Sequence, residues 1–309
     1  MCKLLYALAE LIPIKSLRRS LKAKKEAMAQ SQVAKYLNAH YVESYFENKL
    51  QKWDFTPKVD FKGQKIIWQL WFQGEEQAPE IVKACFASVR KHMGDTHKII
   101  ILDENSIKDY IDFPPFVAEK MQNKEFTKTF FSDLLRVALL STYGGIWLDA
   151  TIFLSGRIPQ EICEKDFFAP IRSPNAPKDY KRWINFNYRY FCWDKDFMVK
   201  FCSSFMVGKA NNPMVVALRD TMLQYWENEN ILRHYFVFQI LFELVNAHFR
   251  ISFEGQNDTE IHLLQLFAKS SYDAALWDSI KEKSSVHKLT YHKSLKDSMV
   301  DNIVLRGKS

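Results

Sequence analysis

Between Lys65 and Leu154 the chain alternates apolar runs with amphipathic ones, and that order restricts it to a small set of folds. KIIWQLWF (65 to 72) predicts a buried strand, EEQAPEIVKACFASVRKHM (75 to 93) a helix opened by Glu residues and Pro79, and HKIIILD (97 to 103) a second strand. SIKDYI and PPFVAEKMQN predict short helices. FTKTFFSDLLRVALLSTYGG (126 to 145) then sets Phe131, Leu134, Leu135, Ala138 and Leu139 on one face of a longer helix that stops at a Gly pair. IWLDATIFL (146 to 154) predicts a third strand, broken in its middle by Asp149. Alternation of this kind implies a parallel sheet with right-handed crossovers, which binds ligands at the carboxyl ends of its strands. The expected class is α/β, with the site in the segment from 65 to 155.

The flanks are less regular. From 156 onward Pro and aromatic residues predict loops and short strands, and helical patterns return at 212 to 229 and 234 to 249. Residues 1 to 60 predict a basic helical extension to a domain spanning 61 to 309. Leu4, Leu5, Leu8 and Leu11 recur at helical spacing ahead of Lys15, Arg18, Arg19, Lys22, Lys24 and Lys25, the pattern of a helix that lies on an anionic membrane surface or packs on the domain with a solvated basic face. No small-residue cleavage site follows that run, and no unbroken stretch of about 18 apolar residues occurs. Five Cys without CxxC spacing give neither a zinc site nor a disulfide framework, so a reducing, cytoplasmic setting is expected.

The segment richest in chemistry is SDLLRVALLSTYGGIWLDAT, residues 132 to 151. Asp133 and Arg136, three apart, share a helix face, either as an intrahelical ion pair or as ligand-binding groups. Gly144 and Gly145 can end the helix in a left-handed turn. Asp149 stands among Ile146, Trp147, Leu148, Ile152 and Phe153, and its burial costs several kcal/mol unless it reaches water, a metal or a ligand hydroxyl at the strand end.

This run of an Asp-x-x-Arg helix, a Tyr-Gly-Gly turn and a Trp-Leu-Asp-x-Thr strand resembles glycosyltransferase family 32, most closely its capsular polysaccharide synthesis branch. The upstream IIWQLWFQG is similar to that family's first strand, and the likeness covers roughly residues 65 to 250. It implies a GT-A (Rossmann-like nucleotide-diphospho-sugar transferase) fold with a mixed central sheet, a UDP-sugar or other nucleoside diphosphate sugar as donor, Mn2+ or Mg2+, and transfer with retention. By that resemblance the catalytic residues are Asp133, Arg136 and Asp149. Trp68, Gln69 and Gly145 join those three and Thr151 in holding the nucleotide sugar, Trp68 by stacking on or bordering the base. The metal falls to Asp149, Thr151 and His292, with His287 as a second late candidate. The family writes Asp-x-Asp where Thr151 stands, and a hydroxyl is a poorer ligand for a hard cation than a carboxylate.

The resemblance implies a glycan or lipid-linked glycan acceptor, as in capsular polysaccharide or lipopolysaccharide assembly, reached from the inner face of a bacterial membrane. Trp183, Tyr188, Tyr190 and Trp193 could stack on acceptor sugars or pack a core. Two other readings stay open: a noncatalytic sugar-nucleotide-binding scaffold, with Thr151 marking a decayed site, and a nucleic-acid-binding protein. The formal charge of +7 invites the last, but much of the basic excess lies at the two ends and no nucleic-acid motif accompanies it.

Overall fold

The structure, a computed structural model, describes residues 15–251, 257–291 and 296–307. Its strands are β1 (Ile66–Leu70), β2 (Lys98–Leu102), β3 (Gly145–Leu148), β4 (Ile152–Leu154), β5 (Phe167–Phe168), β6 (Phe205–Gly208) and β7 (Val286–Lys288). The principal helices are α1 (Lys15–Leu37), α2 (Glu80–Met93), α3 (Lys128–Tyr143), α4 (Tyr180–Asn187), α5 (Pro213–Asn228), α6 (Val237–Phe249) and α7 (Ala274–Lys281). Five strands form the central sheet in the order β2-β1-β3-β6-β5. β1 pairs in parallel with both β2 and β3, β6 runs antiparallel to β3, and β5 runs antiparallel to β6, so the sheet is mixed.

The alternation read from the sequence builds the two faces of this sheet. Ile67, Ile146, Leu148, Phe205 and Val207 point to one side and pack with Val89 and Met93 of α2. Trp68, Leu70, Trp147 and Met206 point to the other and pack with Leu134, Leu135 and Ala138 of α3 and with α5 and α6. With helices on both faces, β1 is buried along its whole length, which is why its sequence lacks a polar alternation. β2 lies on one side of β1 and β3 on the other, so the connections reverse between β1 and β3 and a crevice opens beyond their carboxyl ends.

The expected third strand is two. The chain leaves the sheet after Leu148, the Ile152 amide closes a turn by donating to the Asp149 carbonyl at 2.9 Å, and β4 pairs instead with β7 in a separate antiparallel sheet. Asp149 thus stands at a strand end, bordering the opening beyond β3. Gly144 and Gly145 both adopt left-handed φ, +70° and +104°. A Cβ on Gly145 would lie 2.6 Å from the Ile66 carbonyl, so glycine is required for β3 to approach β1. The helix expected over 75 to 93 begins later, at Glu80, because Pro79 holds an extended ψ of 151° ahead of it.

Residues 15 to 60 do not stand apart from the domain. Ala23, Ala27, Ala34 and Leu37 of α1, with Tyr41, Val42 and Trp53, belong to the main core. Gln30, fully buried, accepts from the amides of Met198 and Val199 and donates to the Arg189 carbonyl, tying α1 to the segment after α4. The Leu4, Leu5, Leu8 and Leu11 stripe lies outside the described residues. No helix among the described residues is long and apolar enough to cross a membrane.

Candidate functional site

A cleft of about 680 Å³ opens at the carboxyl ends of β1 and β3. Its walls come from the segment after β1 (Leu70 to Gln73), the cleft-facing side of α3 (Lys128, Thr129, Ser132, Asp133, Arg136), the turn Asp149 to Thr151, the entry to β6 (Cys202 to Ser204) and the end of β7 with the residues after it (Lys288 to Tyr291). Aromatic side chains line much of the rest: Phe186, Tyr190, Phe191, Tyr235 and Phe236, with Trp71 standing edge-on to Tyr291 at 5.2 Å.

At the base of the cleft four charged side chains converge. Asp149 Oδ1 accepts from Arg136 Nη2 at 3.0 Å and from the Trp147 indole at 2.8 Å, while its Oδ2 accepts from Lys288 Nζ at 2.9 Å. Lys288 Nζ also donates to Thr151 Oγ1 at 2.8 Å. Burial acts to raise the Asp149 pKa, but the Lys288 ammonium, the Arg136 guanidinium and the indole N–H outweigh it and hold the carboxyl well below the usual range. It stays ionised.

Asp133 has the opposite balance. Its Oδ1 lies 2.7 Å from Arg136 Nη1, but the contact does not align an N–H with the oxygen, and Arg136 Nη1 and Nε are left without a hydrogen-bond partner. Burial therefore dominates, the Asp149 charge adds to it, and the Asp133 pKa is pushed up to about 7 despite the pull of Arg136 and Lys288. Two neighbouring carboxyls are thus separated in protonation by their surroundings. A buried guanidinium with unmatched donors, an ammonium and a carboxyl that is neutral in mild acid suit an oxyanion together with hydroxyls.

Lys288 is the residue that sequence reasoning missed. β7 pairs with β4 so that Lys288 lies opposite Ile152, and the Leu289 amide donates to the Thr151 carbonyl at 2.9 Å, which carries the C-terminal segment back across the site. Neighbours on a strand face opposite ways, so Lys288 enters the cleft and His287 turns from it. His287 is buried, its ring 5.1 Å from that of Trp277, its Nε2 2.8 Å from Ser155 Oγ and its pKa lowered by burial to about 3. The alternation through SVHKL carried this signal, but only once its pairing with β4 is known.

The other expected site residues divide. Asp133, Arg136, Asp149 and Thr151 meet in the cleft. Trp68 does not line it: the ring is fully buried against Phe61, Tyr110 and Tyr143, and its indole donates to the Gly144 carbonyl at 3.0 Å, a core role that β1, covered on both faces, imposes. Gln69 is likewise fully buried and outside the cleft lining, and Gly145 serves the close approach of β3 to β1. Trp71, three residues beyond Trp68, reaches the cleft, as does Trp147. Tyr190 borders it while donating to the Phe201 carbonyl, whereas Trp183 is core. His292 lies outside the described residues.

A divalent cation was expected on Asp149, Thr151 and His292, the last outside the described residues. Hard cations need several oxygen donors, yet Asp149 and Thr151 already share the Lys288 ammonium, and no group of three His, Cys, Asp or Glu that could hold a metal occurs among the described residues. Among the described residues, the donor set does not fit the ion.

The model of a family described as capsular polysaccharide synthesis protein matches residues 18–305. Among curated proteins, the O-glycosyltransferase braB of Annulohypoxylon truncatum is 25% identical over 128 residues, 39% of this chain and 29% of that protein's own length. Among solved structures, one titled PaToxG glycosyltransferase aligns with 84% of this chain and 95% of its own at 16% identity, with a TM-score of 0.33.

Proposed function

Because this chain belongs to the capsular polysaccharide synthesis protein family, we propose that it is a glycosyltransferase of GT-A type that moves a sugar, with retention, from a nucleoside diphosphate donor to a surface-glycan acceptor. The observation that carries the reading is the convergence of Asp133, Arg136, Asp149 and Lys288 in one cleft at the point where the strand connections reverse. In such a transfer negative charge grows on the departing diphosphate, and fixed cations beside it stabilise the transition state more than the ground state. The guanidinium charge of Arg136 and the ammonium of Lys288 would do this, with UDP-sugars as the first donors to try. Asp133 would hold sugar hydroxyls, and Asp149, bound by three donors, would orient both cations.

Retention without a protein nucleophile is consistent with these charges. The acidic residues lining the cleft are Asp133 and Asp149, and the second has both oxygens engaged by donors. The acceptor would then approach on the face that the diphosphate leaves, its proton passing to the departing phosphate oxygen. The exposed rings of Tyr235 and Tyr291 at the cleft would carry acceptor sugars.

A lipid-linked acceptor puts the work at an anionic membrane surface. In support, Leu21, Lys24 and Met28 are exposed along one face of α1 in a basic stretch of the chain. Sedimentation with vesicles containing anionic lipid should carry the protein down in low salt and release it in high salt; equal retention on neutral vesicles removes this part of the reading.

The test of the activity is calorimetry with UDP, GDP and their sugars, followed by a transfer assay with the donor that binds. Asp149→Ala should lower turnover by about a hundredfold or more while leaving the protein folded, since it releases two cations from their positions. Turnover near the wild-type rate in that variant rejects the site, and binding without turnover for any acceptor favours the scaffold.

A further inference from the structure

We propose that the ammonium of Lys288 takes the place of a divalent cation in this cleft, so that the donor diphosphate is held and neutralised by side-chain cations alone. The inference rests on the reading of the cleft as a sugar-nucleotide site. Its basis is position. Nζ bridges Asp149 Oδ2 at 2.9 Å and Thr151 Oγ1 at 2.8 Å, the first and third side chains of the turn that follows β3. A metal ion placed to use the same two oxygens would meet the ammonium at contact distance, and two cations cannot share one carboxylate oxygen and one hydroxyl without strong repulsion.

The charges agree with this. Two carboxylates at these positions would bring two negative charges for a divalent ion; Asp149 with Thr151 brings one, and that one already faces both the Lys288 ammonium and the Arg136 guanidinium. The lysine is also held in place. Lys288 closes the β4 and β7 pairing opposite Ile152, and the next residue donates its amide to the Thr151 carbonyl. Burial of the side chain is substantial, with 20% of it exposed. An ammonium has three hydrogens, of which Asp149 and Thr151 take two, and the third is left for an oxygen of a ligand in the cleft. Arg136, on the far side of Asp149, borders the same cleft and adds its positive charge beside the ligand. The pair Arg136 and Lys288, each anchored on one oxygen of Asp149, forms a two-cation clamp, a fork and a point charge.

Titration of the full chain with UDP and with GDP, in EDTA and then in Mn2+, tests this, with Mn2+ alone followed by electron paramagnetic resonance. The expected result is nucleotide binding that EDTA does not weaken, and no stoichiometric site for Mn2+ on the protein alone. Lys288→Met should lose about tenfold or more in affinity and Lys288→Arg should retain most of it, with melting curves reporting that both are folded. In the double variant Thr151→Asp with Lys288→Ala, Mn2+ should bind and should raise nucleotide affinity. Binding to the wild type that vanishes in EDTA and returns with Mn2+ overturns the proposal, as does stoichiometric Mn2+ on the wild type that Asp149→Ala removes. If neither nucleotide binds under any condition the sugar-nucleotide reading fails, and the Mn2+ titrations of the wild type and the double variant still decide whether the ammonium excludes the metal.

Discussion

Asp133 and Asp149 show how far two identical side chains can be driven apart by which donors face them. Asp149 collects an indole, a guanidinium and an ammonium, whereas Asp133 has only a misaligned edge of the guanidinium that Asp149 also uses. The pKa of Asp133 therefore rises from its ordinary 3.8 to about 7, and the sign of its effect on stability follows. A folded-state pKa above the unfolded one favours folding fully below pH 3.8, and that contribution is lost as pH climbs through about 7. The melting temperature of the wild type, measured against that of Asp133→Asn, should fall between pH 5 and pH 8, because asparagine keeps the shape and cannot ionise. A constant difference across that range means that Asp133 is charged throughout and that its contact with Arg136 is an ordinary ion pair.

The elements that frame the site were legible to the extent that their hydrophobic patterns are local. The sequence of β1, α2, β2, α3 and β3 follows from periodicity and from the Gly pair, and the carboxyl-end position of the cleft follows from their order. Three features were not legible because they depend on contacts between distant segments. Trp68 and Trp71 are both aromatic and three residues apart, and only the sheet decides which is core and which borders the cleft. Asp149 marks the break in the 146 to 154 run, but that β4 leaves for a different sheet is hidden, since β4 is as hydrophobic as a continuation of β3 would be. Lys288 reaches Asp149 across 139 residues of chain, a distance no local pattern spans. Gly145 makes the same point in reverse: next to the aspartate strand it resembles a ligand-binding glycine, yet its φ of +104° and its contact with β1 give it a structural role. Gly145→Ala should destabilise the protein by about 2 kcal/mol or more, through left-handed strain and the clash with the Ile66 carbonyl, and should lower the melting temperature without a specific loss of nucleotide affinity. An unchanged melting temperature with lost binding would return the glycine to the site.

At the scale of the molecule, the N-terminal 60 residues are the place where composition misleads. Their basic character suits an appendage as well as a helix packed on the domain, and it does not tell which side of α1 is buried, since Lys25 and Glu26 are buried too. That buried side carries small residues, Ala23, Ala27 and Ala34, which let the helix lie close against the body. Gln30 closes three hydrogen bonds with backbone groups at residues 189, 198 and 199, and the hydroxyls of Tyr36 and Tyr41 both donate to Glu229 at the end of α5. Deleting residues 1 to 60 would therefore expose apolar surface of α4, α5 and α6 and leave polar groups of the body without partners, each costing about 1–3 kcal/mol where it stays buried. Marginal stability of about 5–15 kcal/mol does not survive several such losses. A chain starting at residue 61 should accordingly show no cooperative thermal transition. Cooperative unfolding of the shorter chain near the wild-type temperature would make the helix an appendage after all, and its contacts with Met198, Val199 and Glu229 dispensable to the fold.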